Sequence, residues 1–313
     1  MNAEHISEIL SSTDLGLSRY QIYRVDSAHS NNVYRLSDGS LPNRPTYYLK
    51  DYSLAHDGNE RAQTEIVTIN LLREVTNLPV PEAYLLTDSN SNTMCLLQKG
   101  LPGIPLTEIL YSADIAQTQS LIEQSVQILA QIHQVTSGSY GSVDNALGQR
   151  YSTWQACFAD NIHTKLDFAT RKNIVGLPHV DFFEKRLKNQ TSDGRGHPAL
   201  IHGDFEPRNI LVDPITLTVT GLLDFESSRF WQPEWDLTRI SANAFPERPD
   251  LVDLFIRYYA SMEKTDPDEL KKQIEYYSVF ESLHFWVWGW GQDPDLTEYI
   301  RRDITRVTGV VGA

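Results

Sequence analysis

The hydrophobic periodicity of the chain changes near residue 100, and this change limits the possible folds more than any other feature of the sequence. Before it, short runs rich in Tyr, Val and Leu alternate with clusters of Asn, Ser, Asp, Gly and Pro, a pattern typical of strands joined by turns. After it, apolar residues recur at the spacing of amphipathic helices. A chain that passes from strands to helices in this way is expected to form an α+β fold with two lobes.

The first hundred residues are predicted to form an antiparallel sheet with one helix. The predicted strands cover residues 21–25, 32–36, 47–52 and 93–97. The helix is predicted over residues 60–75 from its amphipathic pattern. Four apolar residues at three-residue spacing are expected to pack on the sheet: Ile66, Ile69, Leu72 and Val75.

The rest of the chain is predicted to be mainly helical. Residues 117–135 carry apolar residues at helical spacing. A later helix is predicted from Asp266 toward Trp286, because Asp266 and Pro267 supply an N-cap and a proline at the first helical position.

A turn-rich segment, Gly100-Leu101-Pro102-Gly103, separates the two parts of the chain. With 313 residues, the chain is longer than one typical domain, and it shows no internal repeats. We therefore expect one bilobal unit, with an N-terminal lobe over residues 1–100 and a C-terminal lobe over residues 101–313.

Composition excludes several classes of function. The chain has 27 Lys plus Arg against 41 Asp plus Glu, a formal net charge of −14, and no basic run that could follow a phosphate backbone. Nucleic acid is therefore not expected as a partner. No apolar stretch reaches the roughly 20 residues that span a bilayer, and the acidic N-terminus lacks the layout of a targeting peptide. We expect a cytoplasmic protein without membrane partners, with Cys95 and Cys157 as buried free thiols.

Three polar side chains suited to phosphoryl transfer lie in loops beside short apolar segments. Asp204 and Asn209 are five residues apart in an irregular loop, and Asp224 ends an apolar run that begins at Val219. Phosphoryl transfer needs oxygen ligands for a divalent metal and a carboxylate that orients the attacking hydroxyl. The pattern therefore indicates a phosphoryl-transfer site.

The order of these residues resembles the catalytic segments of protein kinases. His202-Gly203-Asp204, with Asn209 five residues later, stands in place of H-R-D-x-x-x-x-N, and Asp224-Phe225-Glu226 stands in place of D-F-G. Both departures resemble the aminoglycoside phosphotransferase and choline kinase families, which share the protein-kinase-like fold and act on small molecules. The resemblance implies that Asp204 is the catalytic residue and that His202 braces its loop. It also implies that Asn209 and Asp224 bind Mg²⁺.

The same resemblance assigns nucleotide binding to the N-terminal lobe, and catalysis and acceptor binding to the C-terminal lobe. It requires a strand lysine for the phosphates and a helix glutamate that holds this lysine. Lys50 lies in a predicted strand and Glu65 in the predicted helix that follows, with Glu60 as the alternative. We expect Lys50 and Glu65 to pair in the nucleotide site.

The turn that covers the phosphates in this family is matched at Ser30 and Asn31, which precede Val33 and Tyr34. These two residues are predicted to bind nucleotide through backbone N–H groups. The stretch 27–36 holds no glycine, so the choice between ATP and GTP stays open. Weaker matches to the family follow at Leu101-Pro102-Gly103, Leu129 to His133 and Trp235-Asp236-Leu237.

The resemblance places acceptor binding in residues 151–191 and in the C-terminal helices, which are acidic and aromatic. The candidate contacts are Asp160, Asp167, Glu226, Glu281, Asp293, Trp154, Trp286, Trp288 and Trp290. Carboxylates and aromatic faces both bind cations, so this composition favours a cationic acceptor. The alternative is that the aromatic residues form the core and the carboxylates are solvated.

The sequence thus predicts a kinase that uses Mg²⁺ and ATP or GTP as co-substrate. Its expected acceptor is a small hydroxylated molecule, an aminoglycoside or a similar amine-bearing compound. Two alternatives remain: a kinase of another small hydroxylated metabolite or antibiotic, and a nucleotide-binding regulator without catalysis. The presence of the whole set of expected catalytic groups argues against the regulator.

Overall fold

The computed structural model describes residues 3–11, 13, 15–17, 19–25, 31–38, 44–54, 57–87, 93–189, 197–241, 245 and 248–310. Its internal contacts divide the chain into two compact units. The first unit comprises Met1–Ile132, Ser142–Gly148 and His202–Ser228, and the second comprises His133–Gly141, Gln149–Ile201 and Arg229–Ala313. Each unit is therefore assembled from separate segments of the chain. The division into lobes over residues 1–100 and 101–313 stays a prediction.

The first unit contains a five-stranded antiparallel sheet in the order β1-β2-β3-β5-β4. Its strands are β1 (Gln21–Val25), β2 (Asn32–Ser37), β3 (Tyr47–Asp51), β4 (Ala83–Thr87) and β5 (Met94–Lys99). The four predicted strands are confirmed, and β4 is an additional one. β3 is central, because Lys50 lies opposite Val33 of β2 on one side and Leu96 of β5 on the other. Pairing on both sides fixes the position of the Lys50 backbone.

Helix α2 (Gly58–Val75) packs against β4 and β5 and confirms the predicted helix, but the predicted buried face is wrong. Val75 is 54% exposed and Ile66 is only partly buried. A step of three residues turns about 300° around a helix, so a strict three-residue row drifts off any single face. The buried residues are Gly58, Ala62, Thr64, Glu65, Thr68, Ile69 and Leu72.

Helix α1 (Ala3–Ser11), which the sequence pattern did not predict, covers part of the same sheet. Its Ile6 and Leu10 are buried in one cluster with Leu36 of β2 and Leu97 of β5. A helix of nine residues presents only a few apolar positions, too few for a periodicity to be recognised in the sequence.

The segments that carry the predicted chemistry belong to the first unit as well. The strands β6 (Ile104–Pro105), β10 (Ile210–Val212) and β11 (Val219–Leu222) form a three-stranded sheet in the order β11-β10-β6. Gly103 precedes β6 at φ +110°, where a Cβ would lie 2.8 Å from the carbonyl oxygen of Val212. Only glycine allows the chain to pass β10 this closely.

Two helices follow β6 along the chain, α3 (Leu106–Leu110) and α4 (Ile115–His133). The helix predicted over residues 117–135 corresponds to α4, whose apolar residues are buried: Leu121, Ile122, Val126, Leu129 and Ile132. The helix begins and ends two residues earlier than predicted.

The second unit is mainly helical, as predicted for the C-terminal part of the chain. Its helices are α5 (Trp154–Arg171), α6 (Leu177–Lys188), α7 (Glu234–Arg239), α8 (Pro249–Glu263), α9 (Pro267–Gly289) and α10 (Pro294–Thr308). A small sheet runs in the order β8-β7-β12-β9, with β7 (Tyr140–Ser142), β8 (Arg150–Tyr151), β9 (Ala199–Ile201) and β12 (Arg229–Trp231). The predicted start of α9 is confirmed, because the Asp266 side chain accepts the backbone N–H of Asp268.

An aromatic core holds the second unit together. Trp154 of α5 stacks on Phe158 at 4.9 Å and meets Trp231 of β12 edge to face at 5.3 Å. Its Nε1 donates to the Tyr277 hydroxyl at 3.0 Å. Trp286 is also fully buried. Trp154 and Trp286 are therefore core residues, which is the alternative that the sequence left open for them.

Both cysteines are free and buried, which confirms their predicted state. Burial raises the pKa of Cys157 to about 11, so its thiol stays protonated at neutral pH. In the described part of the chain, none of the helices combines the length and the apolar content needed to cross a membrane. The cytoplasmic location stays a prediction.

Replacing Trp154 by alanine should lower the free energy of unfolding by about 3–5 kcal/mol, since it empties the centre of the aromatic core. Chemical denaturation followed by circular dichroism measures this change. Trp288 is 46% exposed and serves as the matched control, with an expected change for Trp288→Ala of about 0.5 kcal/mol or less. Equal losses for both variants would contradict the assignment of Trp154 to the core.

Candidate active site

Lys50 is a buried cation at the centre of the five-stranded sheet, with three carboxylates around its ammonium group. Its Nζ lies 2.6 Å from Glu65 Oε2 and 2.8 Å from Asp224 Oδ1. Glu226 Oε2 is 3.3 Å away. Burial would lower the pKa of Lys50, but Asp224 and Glu65 outweigh it and hold this pKa well above its usual value. Lys50 is therefore charged throughout the physiological pH range.

Hydrogen bonds to both oxygens fix the position of the Glu65 carboxylate. One oxygen accepts from Gln98 Nε2 at 2.7 Å, and the other accepts from both Lys50 and the Tyr52 hydroxyl. Glu65 is completely buried, whereas Glu60 is exposed. The pairing of Lys50 with Glu65 rather than Glu60 is confirmed, and its role in nucleotide binding stays a prediction.

Glu226 joins three segments of the first unit. Besides Lys50, its carboxylate accepts from Asn31 Nδ2 at 2.7 Å and from Arg61 Nη1 at 3.3 Å. Burial raises the pKa of Glu226, Lys50 opposes this rise, and Asp224 adds to it. The sequence analysis named Glu226 as a candidate acceptor contact and did not predict its contact with Lys50. Its spacing of two residues from Asp224 was the signal that could have found it.

Asn31 lies beside this cluster, and its side chain is almost fully buried. Among the described residues, no hydrogen-bond donor meets its Oδ1. A buried carbonyl oxygen without a donor is uncommon and is often a ligand position. The nucleotide-binding role of Asn31 stays a prediction, and Ser30 lies outside the described residues.

His202 braces the predicted catalytic loop, as the sequence implied. Its Nε2 donates to the Leu223 carbonyl at 3.0 Å, and its Nδ1 accepts the Asp204 backbone N–H at 3.2 Å. The ring also packs on Phe205 and Phe225, at 5.7 Å and 4.8 Å. One buried imidazole therefore links the Asp204 loop to the segment that carries Asp224.

Gly203, between His202 and Asp204, has φ +80°, and a Cβ at this position would collide with the carbonyl oxygen of Ser227. A side chain at this position would be both strained and blocked. The glycine of the His-Gly-Asp segment is thus required by the close approach of two loops.

Asp204 is held by its own loop. Asn209 Nδ2 donates to the Asp204 carbonyl oxygen at 2.9 Å and to its Oδ2 at 3.3 Å. Arg208 Nη2 also lies 3.1 Å from Oδ2, and Arg208 forms a second ion pair with Glu206. These contacts orient the Asp204 carboxylate. The side chain is 14% exposed, so the carboxylate remains accessible.

Asp224 adopts φ +72°, a conformation that is rare for residues other than glycine. The preceding Leu223 donates its backbone N–H to the Asn209 carbonyl at 2.9 Å, which ties this turn to the catalytic loop. Backbone strain of this kind costs about 1–3 kcal/mol and is concentrated at functional sites. The turn directs the Asp224 carboxylate toward Lys50.

The oxygen atoms around Asp224 are suited to ligate a divalent cation such as Mg²⁺. Carboxylate oxygens of Glu65, Asp224 and Glu226 lie within 4.8 Å of one another. Lys50 and Arg61 balance only part of this negative charge. Oxygen ligands and excess negative charge are what Mg²⁺ requires. The Glu65 side chain is completely buried, whereas the Asp224 side chain is 29% exposed and the Glu226 side chain 7% exposed. Asp224 and Glu226 are therefore the carboxylates suited to a metal.

Most of the predicted acceptor carboxylates have other roles in the structure. Glu281 pairs with Arg239, and Asp160 accepts from the Tyr151 hydroxyl at 2.5 Å. Asp293 caps α10 by accepting the Leu296 backbone N–H. Asp167 lies exposed on α5. Among these carboxylates, only Asp167 is left as a candidate whose described neighbours assign it no structural role.

Comparison with known proteins connects this geometry to a family. The family model described as the phosphotransferase enzyme family matches residues 22–272. A probable ketoamine kinase of Vibrio parahaemolyticus is 28% identical over 240 residues, which cover 72% of this chain and 74% of the relative.

Solved structures share the fold. The GDP complex of aminoglycoside 2'-phosphotransferase-IIIa superposes with a TM-score of 0.70 at 14% identity and covers 99% of each chain. Macrolide 2'-phosphotransferase of Brachybacterium faecium gives 0.65 at 16% identity, again over 99% of each chain. The predicted α+β, protein-kinase-like fold is thereby confirmed.

Glu65→Gln should weaken binding of a non-hydrolysable ATP analogue about tenfold or more, a loss of about 1.4 kcal/mol. The substitution keeps the shape of the side chain but removes the charge that fixes Lys50. Calorimetric titration measures the dissociation constant, and Glu60→Gln on the exposed face of α2 is the control. Weaker binding in the Glu60 variant, with normal binding in the Glu65 variant, would reverse the assignment.

Proposed function

This chain belongs to the phosphotransferase enzyme family, and on that premise we propose that it transfers the γ-phosphoryl group of ATP or GTP to a hydroxyl of a small amine-bearing acceptor. Membership of this family of kinases makes it a phosphotransferase whose acceptor is an alcohol. The observation that carries the proposal is the arrangement in the first unit. Lys50 pairs with Glu65 and Asp224, and Asp204 is oriented by Asn209.

Lys50 is suited to bind the α- and β-phosphates of the nucleotide. Its charge is maintained by the surrounding carboxylates, and its position is fixed by β3 and by Glu65. A preorganised cation stabilises negative charge without having to be reoriented during the reaction. Phosphate oxygens entering this site would replace the contact of Lys50 with Asp224, while the contact with Glu65 keeps the ammonium in place.

Asp204 is the group proposed to receive the proton of the acceptor hydroxyl. As that oxygen forms a bond to the γ-phosphorus, the bond to the β–γ bridging oxygen breaks, and the nucleoside diphosphate leaves. Asn209 and Arg208 hold the Asp204 carboxylate through Oδ2. Orientation of this base is worth about 10²–10⁴ in rate for general base catalysis.

Mg²⁺ would be held by Asn209, Asp224 and Glu226, and when bound it supplies positive charge to the phosphates. The amide and carboxylate oxygens of these residues are of the type that Mg²⁺ binds. Asn31 and Arg61 keep the Glu226 carboxylate in one orientation beside Asp224. The chain itself thus provides ordered oxygen ligands.

The acceptor class is supported by the relatives. The names of two of them, a probable ketoamine kinase and aminoglycoside 2'-phosphotransferase-IIIa, both refer to amine-bearing molecules. The macrolide 2'-phosphotransferase supports the alternative of another hydroxylated antibiotic or metabolite. A regulator without catalysis is disfavoured, because Asp204 is both accessible and oriented.

The proposal is tested by Mg²⁺-dependent release of ADP or GDP, with ATP and GTP measured separately. The acceptor panel contains ketoamines, aminoglycosides, amino alcohols and macrolides. Turnover stimulated by a ketoamine or an aminoglycoside supports an amine-bearing acceptor. Stimulation by macrolides alone would favour the alternative acceptor, and nucleotide binding without turnover on the whole panel would favour the regulator.

Asp204→Ala should reduce kcat by about 10²–10⁴, since the proton acceptor is lost. Binding of the nucleotide should stay within about twofold of the unsubstituted protein, a difference of about 0.4 kcal/mol. Stopped assays give the rate, and titration with an ATP analogue gives the affinity. Near-normal turnover in this variant would rule out Asp204 as the catalytic residue.

Asp224→Ala should reduce Mg²⁺-dependent nucleotide affinity about tenfold or more, because it removes a carboxylate from the proposed metal site. Measuring the affinity with and without Mg²⁺ separates this effect from a general loss of folding. The difference between the two conditions should largely disappear in the variant. An unchanged response to Mg²⁺ would place the metal elsewhere.

A further inference from the structure

A cavity on the surface of the first unit is lined by none of the candidate active-site residues. Its volume is about 290 Å³, and it lies between α3, the start of α4 and the turn that joins β10 to β11. Most of the side chains that line it are apolar: Ile104, Ile109, Ala113, Pro214, Ile215 and Leu217. The chemistry described above uses none of them.

Hydrogen bonds hold the elements around this cavity in place. Asp114 and Gln117 cap the start of α4 reciprocally, because the side chain of each accepts the backbone N–H of the other, at 2.8 Å and 2.9 Å. Gln124 of α4 donates to the Leu217 carbonyl at 3.1 Å and accepts the Val219 N–H at 2.9 Å. The turn between β10 and β11 is therefore fastened to α4, and the cavity is preformed.

Three large apolar side chains at or beside the cavity are exposed to solvent. Ile215, which lines the cavity, is 89% exposed. Tyr111 and Ile115 flank lining residues in the sequence and are 87% and 80% exposed. In the part of the chain that the structure describes, these are the three most exposed large apolar side chains. Such side chains around a preformed cavity are typical of a surface that another molecule covers.

The charges around the cavity are negative. Residues 100–149 and 209–228 contain all of the lining residues and hold no Lys or Arg. Glu108 lines the cavity, and Asp114 and Asp213 each adjoin a lining residue in the sequence. No Lys or Arg of the described ranges forms an ion pair with any of these three carboxylates. A ligand with basic groups would therefore be attracted to this surface.

We propose that this cavity, together with Tyr111, Ile115 and Ile215, is a docking groove for a segment of a partner protein that carries apolar side chains beside Lys or Arg. The inference rests on the geometry of the first unit and does not depend on the proposed function.

The kind of occupant follows from size and charge. A small molecule that filled the cavity would leave Tyr111 and Ile115 uncovered, whereas a peptide segment covers both the cavity and its surroundings. Basic residues of such a segment would meet Glu108, Asp114 and Asp213. A second copy of this chain is disfavoured, because a symmetric contact through the groove would bring the same carboxylates against one another.

The proposal is tested with three synthetic peptides and the full chain. The first peptide carries leucine and lysine at helical spacing, the second has glutamate in place of lysine, and the third has serine in place of leucine. Calorimetric titration at low ionic strength should give a dissociation constant for the leucine–lysine peptide at least about tenfold lower than for the other two. Added salt should weaken this binding.

Substitutions in the groove should weaken binding of the leucine–lysine peptide. Ile215→Ser removes an apolar contact and should raise the dissociation constant about tenfold. Glu108→Gln should raise it about two- to fivefold, since an exposed ion pair contributes less. Both side chains are exposed, so both variants should fold, and thermal unfolding checks this. Tyr111→Ser replaces Ile215→Ser if that variant does not fold.

The matched controls lie in the second unit. Leu177 of α6 is 75% exposed, and Glu275 is an exposed carboxylate of α9. Leu177→Ser and Glu275→Gln should each leave the dissociation constant within about twofold of that of the unsubstituted protein. Equal losses in the groove variants and in these controls would refute the proposal.

Hydrogen exchange locates the bound peptide. The backbone N–H groups of α3 and of residues 213–218 should exchange more slowly in its presence. Absence of binding, or protection confined to other parts of the chain, refutes the docking groove. Equal affinity for the serine–lysine peptide shows attraction by charge alone and also refutes it. Equal affinity for the leucine–glutamate peptide refutes the basic character of the partner.

Sedimentation of the chain without peptide tests the other possible occupant, a second copy. A monomer is expected for both the unsubstituted protein and Ile215→Ser. A dimer that dissociates in Ile215→Ser would overturn the assignment of the groove to a different protein.

Discussion

The buried ammonium of Lys50 is the constraint on which the first unit depends. Removing a cation from water is costly, so the fold must surround it with carboxylates, and removing one partner of such a buried pair typically costs about 3–5 kcal/mol. Glu65 from α2 and Asp224 from the turn after β11 supply these partners. Glu226 extends the network to Arg61 and Asn31. A strand, a helix and two loops are thereby held in one arrangement.

The second unit depends on the packing of apolar side chains rather than on a buried ion pair. Its core is a cluster of buried aromatic and aliphatic side chains. His284 of α9 and Asn161 of α5 form a hydrogen bond of 2.9 Å. The Arg229 guanidinium lies over the ring of Trp231, which belongs to this core. Aromatic packing thus positions a cation that the sequence does not distinguish from any surface arginine.

Parts of the structure follow from local sequence patterns and parts do not. The strands around Lys50 and the cap of α9 are short-range features, and both were predicted correctly. The buried face of α2 was not, because apolar residues such as Val75 point outward while Glu65 and Thr68 are buried. The Glu65 carboxylate accepts from Lys50 and Gln98, which lie on other elements. The Thr68 hydroxyl donates to the Thr64 carbonyl within α2. The short helix α1 and the strand β4 also lack a local signal strong enough to predict them.

The sequence by itself was enough to predict the type of reaction, phosphoryl transfer to a hydroxyl, and the fold class. Asp204, Asn209 and Asp224 lie within a stretch of 21 residues, and short loops can place such residues in only a few ways. Their spacing could therefore be recognised without the structure. The tertiary structure decided which partners meet. Lys50 and Asp224 are 174 residues apart, and His284 and Asn161 are 123 apart. Contacts over such separations depend on the packing of whole elements, so only the folded chain shows that Glu226 is a partner of Lys50.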